Sequence, residues 1–206
     1  MYALVENNTI TKYFNSPKGF TLGDKQYPSD IFMKWSVEEK EAIGIYEVIF
    51  DNTNKKDEAW YINTNQSFAF ANDTVTASYG TATAKAHADT LWTAQDETDG
   101  KGTEGEVATR GLKYNFIKTI KAQAAGILKD TDWYILRKAD ADTDVPSAIT
   151  TFRAAVRTKA AAMETLITNA SNTAAIETLY TYVNTADEGD PVVMERPLGE
   201  FPELGS

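Results

Sequence analysis

The sequence predicts an α+β protein, an N-terminal antiparallel β-rich domain followed by a C-terminal helical hairpin or small helical bundle. Three observations carry this. The hydrophobic pattern repeats every two residues through the first half and at helical spacing through the second. Closely spaced turn signals punctuate the first half only. Between them, residues 96–106 read Asp-Glu-Thr-Asp-Gly-Lys-Gly-Thr-Glu-Gly-Glu, with nothing able to pack a core.

In chain order, Tyr2–Glu6 and Thr9–Phe14 flank Asn7-Asn8, and asparagine tolerates the positive φ of a tight hairpin turn. Ser16–Gly19 is a turn, and Phe20–Leu22 with Lys25–Tyr27 bracket Gly23-Asp24 as a second hairpin. Ser36 with Glu39 forms a capping box for a short helix, which Gly44 can end in the left-handed conformation. Ile45–Phe50 is a dense β-branched and aromatic run. Trp60–Ile62 and Ser67–Phe70 read as a hairpin around Asn63–Gln66, and Asn72–Thr74 as a turn. Thr74–Tyr79 alternates, and the small residues of Thr81–Ala88 continue the pattern as a weak or edge strand.

The domain organisation predicted is therefore a β-rich domain at 1–95, an acidic glycine-rich linker at 96–106, a helical domain at 107–186 and an extended arm at 187–206. In the helical domain, Leu112, Phe116, Ile117, Ile120, Ala124, Ile127 and Leu128 form one apolar stripe. Asp130-Thr131-Asp132 breaks it, Trp133–Leu136 is an apolar patch in the connection, and residues 140–146 are a polar loop. With Ser147 as N-cap, Ile149, Phe152, Val156, Ala160, Met163, Leu166 and Ile167 form a second stripe, and Ile176, Leu179, Tyr180 and Val183 a third. Pro191, Pro197 and Pro202 keep the arm from being helical for long, and Gly205-Ser206 could be an expression scar.

Hydrophobic residues at 42% and charged residues at 24% describe an ordinary globular chain, and a chain of 206 residues can bury a sizeable core. The net charge of -10 repels phosphate backbones, so nucleic acid is not an expected partner. The chain has no cysteine, which excludes disulfides and thiolate chemistry and fits folding in a reducing compartment. Met1–Glu6 shows neither a basic segment nor an apolar core, and no apolar run reaches membrane-helix length, so neither a secretory leader nor membrane insertion is expected.

Side chains that could carry chemistry are few. His87 is the only histidine and lies in a Thr/Ala segment without the partners a triad or zinc site needs; a surface or edge-strand role is expected. Asp140, Asp142 and Asp144 resemble the start of a calcium loop. The sixth and twelfth positions are Val145 and Thr151, where such loops need glycine and glutamate. Asp96, Glu97 and Asp99 read as a solvated cluster, and Gly100–Gly105 follows no apolar strand, as a phosphate loop would. Trp35, Trp60, Tyr61, Phe68 and Phe70 read as sheet core, with a sugar-binding face as the competing reading. No enzyme, cofactor or metal is expected.

One constellation stands out. Arg153 and Arg157 lie four apart beside Phe152 and Val156, while Asp130 and Asp132 sit in the preceding connection next to Trp133. Two readings stay open. These groups could lock the helical hairpin, the preferred reading, or present an aromatic and arginine patch to a partner.

The stretch Leu128–Trp133, a proline-containing loop, and Phe152-Arg153-Ala154-Ala155-Val156-Arg157 resembles the tail-assembly-chaperone-like domain of tailed, marine bacteriophages. The likeness spans roughly residues 115–166, with a longer and more acidic loop at 137–145 than the family pattern has. It implies a factor that helps tail or tail-fibre proteins fold, trimerise or attach, acting in the host cytoplasm, with a virion tail location as the alternative. Only Asp132, Trp133, Phe152, Arg153 and Arg157 match family positions, and their implied role is interface or hairpin-locking. The alternatives are a structural tail or fibre adaptor kept in the particle and a glycan- or receptor-binding module. The oligomeric state is open, a homo-oligomer included.

Overall fold

The computed structural model describes residues 1–205, and the chain divides into two compact units, Met1–Thr83 and Ala84–Ser206. The architecture is α+β, strand-rich first and helical after. No helix among the described residues is long and apolar enough to cross a membrane.

The first unit holds β1 (Tyr2–Glu6), β2 (Thr9–Phe14), β3 (Phe20–Leu22), β4 (Lys25–Tyr27), α1 (Ile31–Lys34), α2 (Val37–Glu41), β5 (Ile45–Asp51), β6 (Tyr61–Ile62), β7 (Ser67–Ala71) and β8 (Thr74–Ser78). Asn7 and Asn8 take φ of 51° and 60°, which matches the twist of the hairpin they close. Ser36 and Glu39 form the full capping box of α2. Gly44 follows at φ 79°, where a Cβ would lie 2.4 Å from the Val5 carbonyl oxygen. Only glycine fits that approach.

The main sheet runs β2-β1-β5-β8-β7. It is mixed and not purely antiparallel, because β5 and β8 run parallel with Val48 opposite Val75. The expected hairpin around Asn63–Gln66 does not form. The partner of β7 is β8, across Asn72 and Asp73 at φ of 50° and 55°. Two residues with positive φ close a tight turn that the longer Asn63–Gln66 stretch does not offer.

Strand β1 is buried on both faces, and side chains alternate across it. Leu4 joins Phe14, Phe20, Ile31, Phe32 and Ile45 on one side. Ala3 and Val5 join Val48, Val75 and Ala77 on the other. The sheet curls so that edge strands β2 and β7 approach, with the Tyr13 and Phe68 rings 4.7 Å apart. Trp60 and Tyr61 are buried, and Trp35, Phe68 and Phe70 pack against the two clusters.

The two-residue strand β9 (Thr83–Ala84) stands at the division, so the expected extended strand through Ala88 is shorter than its alternation suggested. The second unit then holds β10 (Thr90–Leu91), α3 (Ala94–Thr98), β11 (Val107–Thr109), α4 (Leu112–Lys129), α5 (Asp132–Ala141), α6 (Ser147–Asn169), α7 (Thr173–Tyr180), β12 (Val183–Asn184) and β13 (Met194–Glu195).

The stretch 96–106, expected as a flexible linker or an exposed loop, is an ordered, largely exposed loop inside this unit. β10 and β11 pair at its base, and the Trp92 amide donates to the Glu106 carbonyl at 2.9 Å. Thr93 and Asp96 form a capping box for α3, and Lys101 pairs with Asp96 at 3.0 Å. Gly102 lies flat against Trp92, where a Cβ would sit 2.3 Å from the indole nitrogen. Local capping and one aromatic lid order a segment whose composition suggests none.

Helices α4 and α6 form the bundle core. Ile120 and Ala124 meet Val156, Ala160, Met163 and Ile167. Lys113 reaches the Thr168 carbonyl at one end, while Arg153 reaches the Leu128 carbonyl at the other, so the helices run antiparallel. The first amides of α4 are satisfied from outside the helix, Leu112 by the Ala86 carbonyl and Lys113 by the His87 carbonyl. Residue 146, a proline, occupies the N-cap position of α6 without a side-chain bond, one residue before the expected Ser147.

Residues 187–205 are not a free arm. β12 and β13 pair, Leu198 is fully buried in the α4/α6 core, and its amide donates to the Leu179 carbonyl at 3.0 Å.

Candidate functional site

The seam of α6 explains the constellation at Arg153. The buried positions of α6 are Ile149, Arg153, Val156, Ala160, Met163 and Ile167, spaced alternately four and three apart. Arg153 therefore occupies a core position, and Phe152, expected in the stripe, is half-buried beside it. Leu166, also expected there, is 40% exposed.

An arginine is tolerated in that seam because of what it meets. Its stem lies among apolar neighbours, and its head arrives at the C-terminal end of α4, where helix carbonyls lack partners. One terminal nitrogen, Nη1, donates to the Leu128 carbonyl at 2.8 Å and to Thr131 Oγ1 at 2.6 Å. The other, Nη2, donates to Asp132 Oδ1 at 2.9 Å. Thr131 Oγ1 in turn donates to the Leu128 carbonyl at 2.9 Å. A positive group at a helix C-terminus is also favoured by the helix dipole. Arg153 Nε has no hydrogen-bond partner, so all three polar contacts run through the two terminal nitrogens.

The result is a clamp joining the corner between α4 and α5 to α6. Of the residues singled out in the sequence, Asp132 and Arg153 meet directly. Phe152 packs against the bundle core next to them. Arg157 does not join. It lies one residue past buried Val156 and is exposed, because after the step of four from Ile149 to Arg153 a second step of four, where the seam takes three, rotates it off the seam. Asp130, expected alongside Asp132, points into a groove described below. Trp133 stacks on neither Arg153 nor Arg157. Arg137, one turn along on its own helix, lies 4.8 Å from the Trp133 ring centre and 5.4 Å from that of Tyr134.

Thr131 was missed as a site residue. Its signal is a small hydroxyl residue between two aspartates, which reads as a helix breaker, yet it is 3% exposed and central to the clamp.

Helix α5 contributes no buried residue. Asp132 fixes its first turn, and Trp133, Ile135 and Leu136 stand 49%, 44% and 69% exposed. At its far end Lys138 bridges Asp142 and Asp144 at 2.7 and 2.8 Å, and these hydrogen bonds hold the lysine above the ordinary amine range. Two of the three calcium-like aspartates, Asp142 and Asp144, thus already pair with a lysine of the chain. No group of three or more metal-ligating side chains among the described residues gathers where an ion could be held.

Beside the clamp lies an open groove of about 810 Å³ between the end of α4, Phe152 and the returning C-terminal segment. Ile127, Phe152, Phe201, Pro202 and Leu204 supply its apolar surface. At its edge Arg196 grips Glu200 through Nε at 2.7 Å and Nη2 at 2.8 Å, with the Tyr180 and Tyr182 rings 5.5 and 5.3 Å from the guanidinium. Tyr182 donates to Glu200 as well. Partial burial pulls the Glu200 carboxyl upward, but its bonds from Tyr182 and Arg196 outweigh this and leave it below the usual carboxylate range.

No family model, curated protein or solved structure matches the chain.

Proposed function

We propose that this chain is a non-enzymatic binding protein, a tail or tail-fibre assembly factor of a tailed bacteriophage. It acts by holding a tail or fibre subunit during folding, trimerisation or attachment. The observation that carries this reading is the Asp132–Arg153 contact. These two residues belong to the pattern that resembles tail-assembly chaperones, and they lie 21 positions apart in sequence and 2.9 Å apart in space. Their role is to brace a corner, and the braced helix presents Trp133, Ile135 and Leu136 outward. Large, rigid apolar and aromatic groups on a braced element are what a protein partner uses as anchors. Arg153 itself is committed to a carbonyl, a hydroxyl and a carboxylate of its own chain, which leaves it no catalytic task.

Co-expression with a tail-fibre subunit of the same phage tests the proposal. Fibre yield and trimer content should fall when the chain is omitted. A fibre that folds and trimerises equally well without it refutes the chaperone reading. Mass spectrometry of purified particles then separates a departing factor from a retained adaptor.

A further inference from the structure

The chain holds five arginines among 30 acidic and 20 basic side chains, so carboxylates are in excess. Arg110, Arg153 and Arg196 each face one of them, Asp89, Asp132 and Glu200, at 2.6, 2.9 and 2.7 Å. Arg137 on α5 faces none among the described residues. It lies instead against two rings, 4.8 Å from the centre of Trp133 and 5.4 Å from that of Tyr134, and those rings are themselves 3.8 Å apart. Arg157 has no carboxylate either among the described residues, but no ring holds its side chain in place.

The surroundings of Arg137 leave its charge unanswered. Asp132 is taken by Arg153, and Asp142 and Asp144 are taken by Lys138. Asp140, three residues on, forms no ion pair among the described residues. Arg137 Nε is buried without a hydrogen-bond partner, so the terminal nitrogens are the donors a ligand can reach. A ring face attracts the guanidinium but accepts none of its in-plane hydrogen bonds. The planar fork matches a carboxylate with two parallel bonds. Because the rings already orient it, less side-chain freedom is lost when such a group arrives.

We propose that the Trp133–Tyr134–Arg137 clip on α5 is a docking site for a protein segment in which an aspartate or glutamate lies beside bulky apolar side chains. The proposal rests on the assembly-factor reading above and names the chemistry of the client segment. The carboxylate meets the Arg137 fork. The apolar neighbours meet Trp133 and Leu136, 49% and 69% exposed, which lie four and one residues before Arg137 and share its side of the helix. Selection comes from the fork at contact distance and not from the field of the whole chain, since at physiological salt charges more than about 8 Å away are largely screened. The net charge of -10 disfavours a phosphate polymer as the source of the anion.

The test titrates the full, nitrogen-15-labelled chain with two capped peptides, Leu-Asp-Phe-Glu-Leu and its amide counterpart Leu-Asn-Phe-Gln-Leu. The Arg137 Nε–H and Trp133 indole N–H signals report on the clip directly. The acidic peptide should shift both signals to saturation, and the amide peptide should bind at least about tenfold more weakly, as expected for loss of a charge-assisted bond. Arg137→Gln should weaken the acidic peptide by the same factor, and Arg137→Lys, which keeps the charge without the fork, should recover only part of the loss. Urea midpoints check that both variants are folded, which the exposed setting of α5 favours. The proposal is overturned if the acidic peptide leaves the two signals unmoved, if both peptides bind equally, or if folded Arg137→Gln or Arg137→Lys binds as wild type does. Inorganic phosphate binding as tightly as the acidic peptide would also overturn it, by showing a general anion contact. Because no phage protein enters this assay, its failure would leave the co-expression result standing, and the reverse.

Discussion

Replacing Arg153 with methionine isolates what the guanidinium does, because methionine keeps an unbranched apolar stem in the seam and removes the fork. The Arg153 side chain is 8% exposed and makes three charge-assisted bonds, to the Leu128 carbonyl, Thr131 and Asp132. Breaking a fully buried ion pair by removing one partner costs about 3–5 kcal/mol. Two features reduce that here. Asp132 is 53% exposed and can rehydrate once abandoned. Thr131 and the Leu128 carbonyl keep their bond to each other at 2.9 Å, so neither is orphaned. The expected loss is therefore about 2 kcal/mol, set by the bonds to the helix end more than by the aspartate. Asp132→Asn, which touches only the half-exposed arm, should cost about 0.5 kcal/mol or less. Urea unfolding followed by far-UV circular dichroism measures both, and a double-mutant cycle between 153 and 132 should give a coupling below about 1 kcal/mol. If Arg153→Met is as stable as wild type, the arginine occupies the seam for its stem alone and the clamp is not a brace.

Leu198→Ala should destabilise the helical unit by about 2–5 kcal/mol, whereas Leu204→Ala should change little, because the first is fully buried and the second 53% exposed; urea midpoints of the two variants decide this. Gly102→Ala should push Trp92 out of its lid position, since the new Cβ would lie 2.3 Å from the indole nitrogen, at a cost of about 1–3 kcal/mol and with a red shift in tryptophan emission. Asp96 is held down to about 2, first by hydrogen bonds from Thr93 and then by Lys101. A carboxyl lowered on folding contributes stability that is present above its ordinary value of 3.8 and is lost as pH falls toward about 2. Carbon-detected titration should place its midpoint near about 2, with the α3 loop intact at pH 4; a midpoint at the ordinary value would show the capping box does not persist in solution.

What was legible in the sequence was local. Asn7-Asn8, Gly23-Asp24, the Ser36–Glu39 box and the left-handed Gly44 each specify a turn or helix end through their own φ preferences or side-chain bonds. The α4 and α6 stripes follow from spacing alone. What was hidden depends on partners distant in sequence or on a residue in an atypical role. The parallel pairing of β5 with β8 leaves no mark on either strand. The 96–106 loop is ordered by Trp92 over Gly102, which composition does not reveal. Leu198 sits among three prolines in a segment that looks extended, yet it completes the bundle core. At the site, Asp132 and Arg153 were legible as opposite charges, one in the connection and one on the following helix, and they meet at 2.9 Å. Arg153 as a seam residue was not, because a stripe is read from apolar residues; Phe152 does pack against the core beside it, while Leu166 lies exposed.

The central claim is that the helical unit binds a tail or fibre subunit through the corner braced by Arg153. Hydrogen–deuterium exchange of the chain alone and with that subunit measures this directly. The account predicts new protection over residues 123–136, with exposed Trp133 and Leu136 inside the footprint. No change on mixing, or protection confined to residues 1–83, would contradict it.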